Sequence, residues 1–258
     1  MEATEHLCPA CAEPGTGKHC THCGEIMHPK RITVMRLLHS IPDVFFDVES
    51  GLFYTIKTMI TQPGEAVRRY LAGDRERHYK PLKSVLFIGG LYVFLFITFN
   101  IHGGYVPPDD EALMGVKINA GDFEQFNTQL ASVFMLLQFP VIAFFTWLFF
   151  RNKKYYFGEH LVANAFFVSE VLLYHIVLFP LYYLLNGTKW VTTLQYFYLL
   201  WIWGYFTYAY YDWIYLRKTR NGFFNCLLLV FGLLLFISLI TYYLGLAFYV
   251  AKVKLFGN

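Results

Sequence analysis

Long apolar runs fill most of the chain after residue 84, and short polar segments separate them. An apolar helix of about 20 residues crosses the hydrocarbon core of a bilayer, where only helices or closed barrels satisfy their backbone. Because these runs are continuous rather than alternating, they predict an all-α polytopic membrane protein. We expect five transmembrane helices within a domain at 82–258, at about 82–101, 131–150, 161–185, 192–214 and 223–250.

A block of short amphipathic patterns, residues 31–81, precedes the first apolar run. Residues 34–45 form one pattern at helical spacing, residues 51–60 form a second, and Pro63 opens a third that Gly73 ends. These juxtamembrane helices are too short to span a membrane. Two locations fit them equally: the surface of the inner leaflet, or a cytosolic cap packed under the bundle.

The hydrophilic head, residues 1–30, holds four of the five cysteines. Their spacing is C-x2-C, eight residues, then C-x2-C, at Cys8, Cys11, Cys20 and Cys23. Four thiolates at this spacing suit a tetrahedral ion, so we predict a structural zinc ribbon with a small hairpin between the two pairs. Iron is the competing metal, and disulfides would require an oxidising compartment. A complete thiolate set leaves no open coordination position, which argues against catalysis at the metal.

Lysine and arginine are divided unevenly between the two sides of a five-helix bundle. Eleven lie in residues 1–83, three in residues 151–154 and three in residues 217–220, so seventeen of the twenty-one fall on one side. Segments rich in these residues stay in the cytosol. We therefore expect a cytosolic N-terminus and a C-terminus on the outer side of the membrane.

Composition limits the classes of partner that the protein is expected to bind. Hydrophobic residues make up 56% of the chain and charged residues only 15%, so the lipid bilayer is the first partner. A net charge of +3 without a long basic run gives no reason to expect nucleic acid. The first thirty residues lack the apolar core of a signal peptide, so the first transmembrane helix is expected to direct insertion. A protein partner, bound through the zinc ribbon, is the other expectation.

Polar residues inside the third apolar run form the candidate intramembrane site. Such residues are costly in a bilayer and are often functional. They share one sector of the predicted helix: Glu159, His160, Asn164, Glu170, Tyr174 and His175. One hypothesis is a proton or ion relay, or a path for lipid headgroups. The hypothesis we favour is a packing clasp, in which Glu170 is protonated or bonded to a tyrosine such as Tyr198, Tyr205 or Tyr208.

Three segments together resemble a bacterial protein family. They are the cysteine motif ending in Gly24, the string Asp47-x3-Gly51, Thr55, Pro63-Gly64, Arg68-x-Tyr70, Gly73, Arg75 and Tyr79-x-Pro81, and the stretch Tyr156-x2-Glu159-His160-Leu161-Val162. The family is an uncharacterised group of inner-membrane proteins with an N-terminal four-cysteine zinc ribbon and about five transmembrane helices. The resemblance implies a bacterial inner membrane, a periplasmic C-terminus and structural Zn²⁺, and it brings no established activity. Phe166, Phe167 and Val168 stand where that family tends to carry further histidines, which weakens a metal or redox role for the third helix.

Three functions are compatible with these features. The one we favour is a non-enzymatic membrane scaffold or regulatory protein whose ribbon and juxtamembrane helices recognise a partner or the inner leaflet. The second is a transporter or lipid-moving protein that uses the polar face of the third helix, although no inverted repeat is evident. The third is a membrane enzyme, which is the weakest because no nucleophile, phosphate loop or open metal motif accompanies the polar residues. We therefore predict no catalytic residue.

Overall fold

The structure of the 258-residue chain is a computed structural model. It describes residues 6–9, 11–15, 17–24, 26–27, 51–99, 101, 110–113, 116–119, 123, 126–127, 130, 133–134, 138–153 and 155–256. Most of these residues are helical, in agreement with the predicted fold class. The helical pattern predicted over residues 34–45 lies outside the described residues.

Eight helices occupy the described part of the chain after residue 50. Two short helices come first, α1 (Leu52–Thr61) and α2 (Pro63–Ala72), followed by α3 (Pro81–Thr98). The next three are α4 (Phe139–Phe149), α5 (Phe157–Val177) and α6 (Phe179–Leu185). The last two are the longest, α7 (Lys189–Tyr215) and α8 (Arg220–Phe256).

Two antiparallel hairpins add short strands that the sequence did not predict in these places. In the head, β1 (His6–Leu7) pairs with β2 (Pro14–Gly15), so the hairpin encloses the first cysteine pair instead of lying between the pairs. Between α3 and α4, β3 (Asp110–Leu113) pairs with β4 (Val116–Asn119).

Three of the described helices are long and apolar enough to cross a membrane: α3, α5 and α8. Helix α4 is apolar but has 11 residues, or about 17 Å, against a hydrocarbon core of about 30 Å. Helix α7 has 27 residues, but its Thr, Gln, Tyr and Asp side chains reduce its hydropathy. The predicted run 161–185 divides into α5 and α6 at Leu178, because Pro180 has no N–H for a continuous helix.

Helix α5 lies at the centre of the hydrophobic core, with α3, α4 and α7 packed around it. Nearly every residue from Gly158 to Leu172 is buried, so the apolar sector of this helix is enclosed as well as its polar sector. Helix α7 runs antiparallel to α5: the ring of Trp213 lies 4.8 Å from that of His160, and the ring of Tyr198 lies 4.3 Å from that of His175.

Helices α1 and α2 pack against the bundle through one face. Val67 is completely buried, and the ring of Tyr70 lies 5.2 Å from that of Phe166 on α5. The hydroxyl of Tyr205 on α7 donates to the Met59 carbonyl at 3.5 Å. These two helices therefore pack on the bundle through one face, while the outer face of α1 leaves Phe53 86% exposed.

Candidate functional site

The four head cysteines converge on one point. Their Sγ atoms all lie within 4.8 Å of one another, with 3.5 Å between Cys8 and Cys23 and 3.6 Å between Cys11 and Cys20. A tetrahedral ion with metal–sulfur bonds of about 2.3 Å needs sulfur–sulfur separations of about 3.8 Å. The cluster can therefore hold a metal ion, as the sequence predicted.

Two similar turns bring the cysteine pairs together. The first pair sits in the loop of the β1–β2 hairpin, and an isolated bridge between His19 and Ile26 encloses the second. The residue after each pair has a left-handed backbone, with φ of 61° at Ala12 and 78° at Gly24. The N–H of each of these residues donates at 2.9 Å to the carbonyl of the first cysteine of its pair. Glycine accepts this conformation without strain, whereas alanine adopts it at a cost.

The turn around the second pair also favours the thiolate form. Backbone N–H groups of Cys23 and His22 donate to the Cys20 sulfur and lower its pKa to about 6. A thiolate is the form that binds a metal. Among the described residues the metal-ligand cluster consists of the four cysteines alone, so His19 and His22 are not part of it.

The predicted intramembrane residues divide into separate local roles. Glu159 belongs to the start of α5, where its carboxylate accepts the backbone N–H of Tyr156 at 2.8 Å. This is a helix-capping contact, which satisfies an N–H that the helix leaves unpaired. Glu159 therefore lies apart from the deeper residues of the set.

His160 and Asn164 form a hydrogen-bonded clasp across three helices. Thr146 on α4 is its centre, with its Oγ1 3.2 Å from His160 Nδ1 and 3.1 Å from Asn164 Nδ2. Tyr210 on α7 donates its hydroxyl hydrogen to Asn164 Oδ1. Sequence analysis missed Thr146 and Tyr210, because one threonine and one of twenty tyrosines carry no distinguishing signal.

Glu170 is only 2% exposed, and its Oε1 has no hydrogen-bond partner among the described residues. The tyrosines proposed as its clasp are engaged elsewhere: Tyr198 donates to the Val171 carbonyl at 2.6 Å, Tyr205 to the Met59 carbonyl, and Tyr208 accepts from Arg217. Tyr174, one turn further along α5, packs its ring 4.2 Å from that of Trp201.

His175 lies in a cage of aromatic rings near the far end of α5. Four ring centroids lie between 4.3 and 5.1 Å from that of His175: Tyr92, Phe96, Tyr182 and Tyr198. Its Nδ1 and the Tyr182 hydroxyl have no hydrogen-bond partner among the described residues. The predicted set is thus spread along the helix rather than gathered at one point.

A further polar cluster joins α2 to the end of α7, and the sequence did not predict the contact between these two helices. The buried carboxylate of Asp212 accepts the backbone N–H of Glu65, at the start of α2, at 3.2 Å. In return, the Arg68 guanidinium donates to the carbonyls of Asp212 and Trp213 in the last turn of α7. Each helix end therefore has unpaired backbone groups satisfied by a side chain of the other helix.

Charges surround this α2–α7 junction. Asp212 Oδ1 lies 3.2 Å from Arg217 Nε and 3.6 Å from Arg68 Nη2. Glu65 pairs with both Arg68 and Arg69 at 2.9 Å. Burial opposes ionisation of Glu65, but hydrogen bonds and positive charge from the two arginines outweigh it and lower the pKa of that carboxyl.

The junction also explains part of the motif string 47–81. A Cβ atom on Gly64 would overlap the backbone of Asp212 and Trp213, so only glycine permits this approach. Thr55 Oγ1 accepts the Tyr79 N–H at 2.7 Å and ties α1 to the start of α3.

Comparison with known proteins gives one match. Residues 49–93 match the model of a family described as "Protein of unknown function (DUF3667)". This range covers α1, α2 and most of α3, and so contains the whole α2 side of the junction. No curated protein and no solved structure matches the chain.

Proposed function

We propose that the protein is a non-enzymatic scaffold or regulatory protein of the bacterial inner membrane, with a structural zinc ion in a cytosolic ribbon. The observation that carries this proposal is the closed cluster of four cysteine sulfurs within 4.8 Å. An ion held by four thiolates has no free position for a substrate, and its binding energy stabilises the small fold around it. The ribbon then presents a surface that recognises a protein partner.

Zinc is the metal that best fits this cluster. Tetrahedral sites of four thiolates belong to zinc or to iron, and zinc ribbons build theirs from two short turns of the kind seen here. The reducing cytosol keeps the cysteines available as ligands.

Five transmembrane helices, with α4 and α7 added to the three apolar ones, complete the proposal. Its support is the antiparallel packing of α4 and α7 against α5 together with the position of the positive charges. Arg151 and Lys153 follow α4, Arg217 and Lys218 lie between α7 and α8, and Arg220 begins α8. These five residues lie at the ends that meet near His160, which is the arrangement expected for a cytosolic face.

The α2–α7 junction gives the two helices that follow the head a fixed attachment to the bundle. Helices α1 and α2 are the first described helices after the head, and they are bonded to the bundle through Asp212 and Arg68.

Metal analysis of the purified full chain tests the zinc site. We expect one zinc ion per chain, a large loss in Cys8→Ala, and no loss in Cys226→Ala, which changes a cysteine outside the cluster. Iron in place of zinc, or a preparation without metal, would contradict the proposal.

Crosslinking in intact cells tests the scaffold role. The variant Cys8→Ala/Cys20→Ala should reach the membrane in normal amounts but lose a specific subset of crosslinked neighbours, while Cys226→Ala retains them. The same set of neighbours for all three proteins would exclude recognition through the ribbon.

A further inference from the structure

Four buried polar atoms of α5 and α6 have no hydrogen-bond partner among the described residues. They are His160 Nε2, Glu170 Oε1, His175 Nδ1 and the Tyr182 hydroxyl. His160, Glu170 and Tyr182 are at most 2% exposed. At a rise of about 1.5 Å per residue, His160 and His175 are about 22 Å apart, a large part of the hydrocarbon core of about 30 Å.

Tyrosines of α7 pack along the same stretch of α5. Tyr210 is bonded to Asn164, one turn from His160, and the ring of Tyr205 lies 6.4 Å from that of Phe167, one turn before Glu170. Further along, the His175 ring lies between those of Tyr198 and Tyr182, at 4.3 and 4.8 Å. We call this series, from His160 to Tyr182, the polar track.

The unpaired atoms of the polar track have an energetic cost. A buried donor or acceptor without a partner destabilises the fold, and an apolar side chain would avoid that cost. Water molecules with two to four polar neighbours satisfy such atoms inside proteins. The polar track therefore consists of imidazole, carboxyl and phenol groups that need polar partners inside the bundle.

We propose that the polar track is a proton path through the bundle, in which Glu170 binds and releases the proton near the middle. Carboxyl and imidazole groups arranged along a helix are the usual elements of membrane proton relays. Tyr174 on the same helix and Tyr205 on α7 are titratable side chains within electrostatic range of Glu170. Among the described residues it has no salt-bridge partner, so it can change its protonation without breaking an ion pair.

A proton fits this site better than a metal cation. Hard cations take six or more oxygen ligands, whereas Glu170 and its two tyrosines offer four oxygen atoms. The proton path lies in the helical bundle and involves none of the four head cysteines. Its test is therefore independent of the test of the scaffold role.

Proton uptake into liposomes that contain the purified full chain tests the proposal. A potassium gradient with valinomycin drives uptake, and a pH-sensitive dye inside the liposomes reports it. We expect the wild-type protein to exceed protein-free liposomes, Glu170→Gln to fall to the protein-free rate, and Tyr182→Phe to be slower than wild type. Two matched controls, Glu76→Gln and Tyr183→Phe, change exposed residues outside the polar track and should keep the wild-type rate.

Two results would overturn the proton path. One is a wild-type rate no greater than that of protein-free liposomes, and the other is an unchanged rate in Glu170→Gln. If Glu170→Gln fails to insert, the pair Tyr182→Phe and Tyr183→Phe decides, because each removes a single hydroxyl group; equal rates for the two would reject the path.

Discussion

Gly64 stands at the closest approach between α2 and α7. Replacing it with alanine places a Cβ atom inside the backbone of Asp212 and Trp213, so the two helices must separate. We expect Gly64→Ala to lower the free energy of unfolding by about 1–3 kcal/mol, the usual cost of overpacking. Thermal unfolding in detergent measures this change.

Gly90 provides the control for that substitution. It is an exposed helical glycine on α3, and nothing lies within 4 Å of the position that a Cβ would take. Because alanine is the better helix former, Gly90→Ala should be neutral or slightly stabilising. Equal changes in the free energy of unfolding for the two substitutions would show that the close approach of α2 to α7 does not restrict the side chain at position 64.

His78 makes stability depend on pH. Burial, together with the positive charges of Arg69 and Arg77, lowers the pKa of His78 to about 4. The unfolded chain takes up this proton near pH 6.5 while the folded protein stays neutral, so stability falls as the pH drops from about 6.5 to about 4. The loss attributable to His78 is about 3 kcal/mol.

The variant His78→Phe should flatten this part of the pH profile, since it keeps a ring beside Tyr54 and Tyr70 without a titratable group. Unfolding measured at several pH values between 4 and 7 checks the expectation. A slope equal to that of the wild type would exclude His78 as its source.

At the residue scale, sequence predicts ligand chemistry better than it predicts hydrogen-bond partners. The spacing of the four cysteines was enough to place their sulfurs together, because short turns leave few alternatives. The sequence could not identify the hydrogen-bond partner of Asn164. Tyr210 lies 46 residues away, and its position depends on how two helices pack.

The α2–α7 junction is the contact between elements on which the cap depends. Arg68→Gln removes the guanidinium that satisfies the end of α7, and Asp212→Asn removes the charge that faces it. Because the two groups interact, we expect a double-mutant coupling energy of about 1–3 kcal/mol. Free energies of unfolding of the single and double variants give this quantity, and strict additivity would show that the two ends are independent.

At the scale of helices, the sequence correctly predicted those elements that hydrophobic composition alone determines. The apolar runs identified α3, α5 and α8, because twenty apolar residues have few other structures available. The location of α1 and α2 was undetermined, since an amphipathic face packs equally well on lipid and on protein. The contacts of Tyr70 and Met59 show that both helices pack on the bundle.

At the scale of the molecule, α8 is the least enclosed of the three helices that are long and apolar enough to cross a membrane. Its 37 residues extend about 55 Å, well beyond a hydrocarbon core of about 30 Å. The excess lies toward its C-terminal end, where Tyr249 packs on Phe123 and Lys252 lies over the ring of Phe126. This end therefore has its own small cluster outside the main core.

Reporter fusions test the proposed orientation of the whole molecule. A reporter active only in the periplasm should be active when fused after Asn258 and inactive when fused before Met1, because the Lys and Arg residues cluster on the opposite side. Activity at both ends would require an even number of crossings and would contradict five transmembrane helices.

The bond between Glu65 and Asp212 joins residues 147 positions apart. During translation α2 leaves the ribosome long before its binding site exists, and it has to wait until nearly all of the chain has been synthesised. Nascent chains truncated before α7 therefore lack the carboxylate and the carbonyls on which α2 docks, so this helix can reach its final position only late in synthesis.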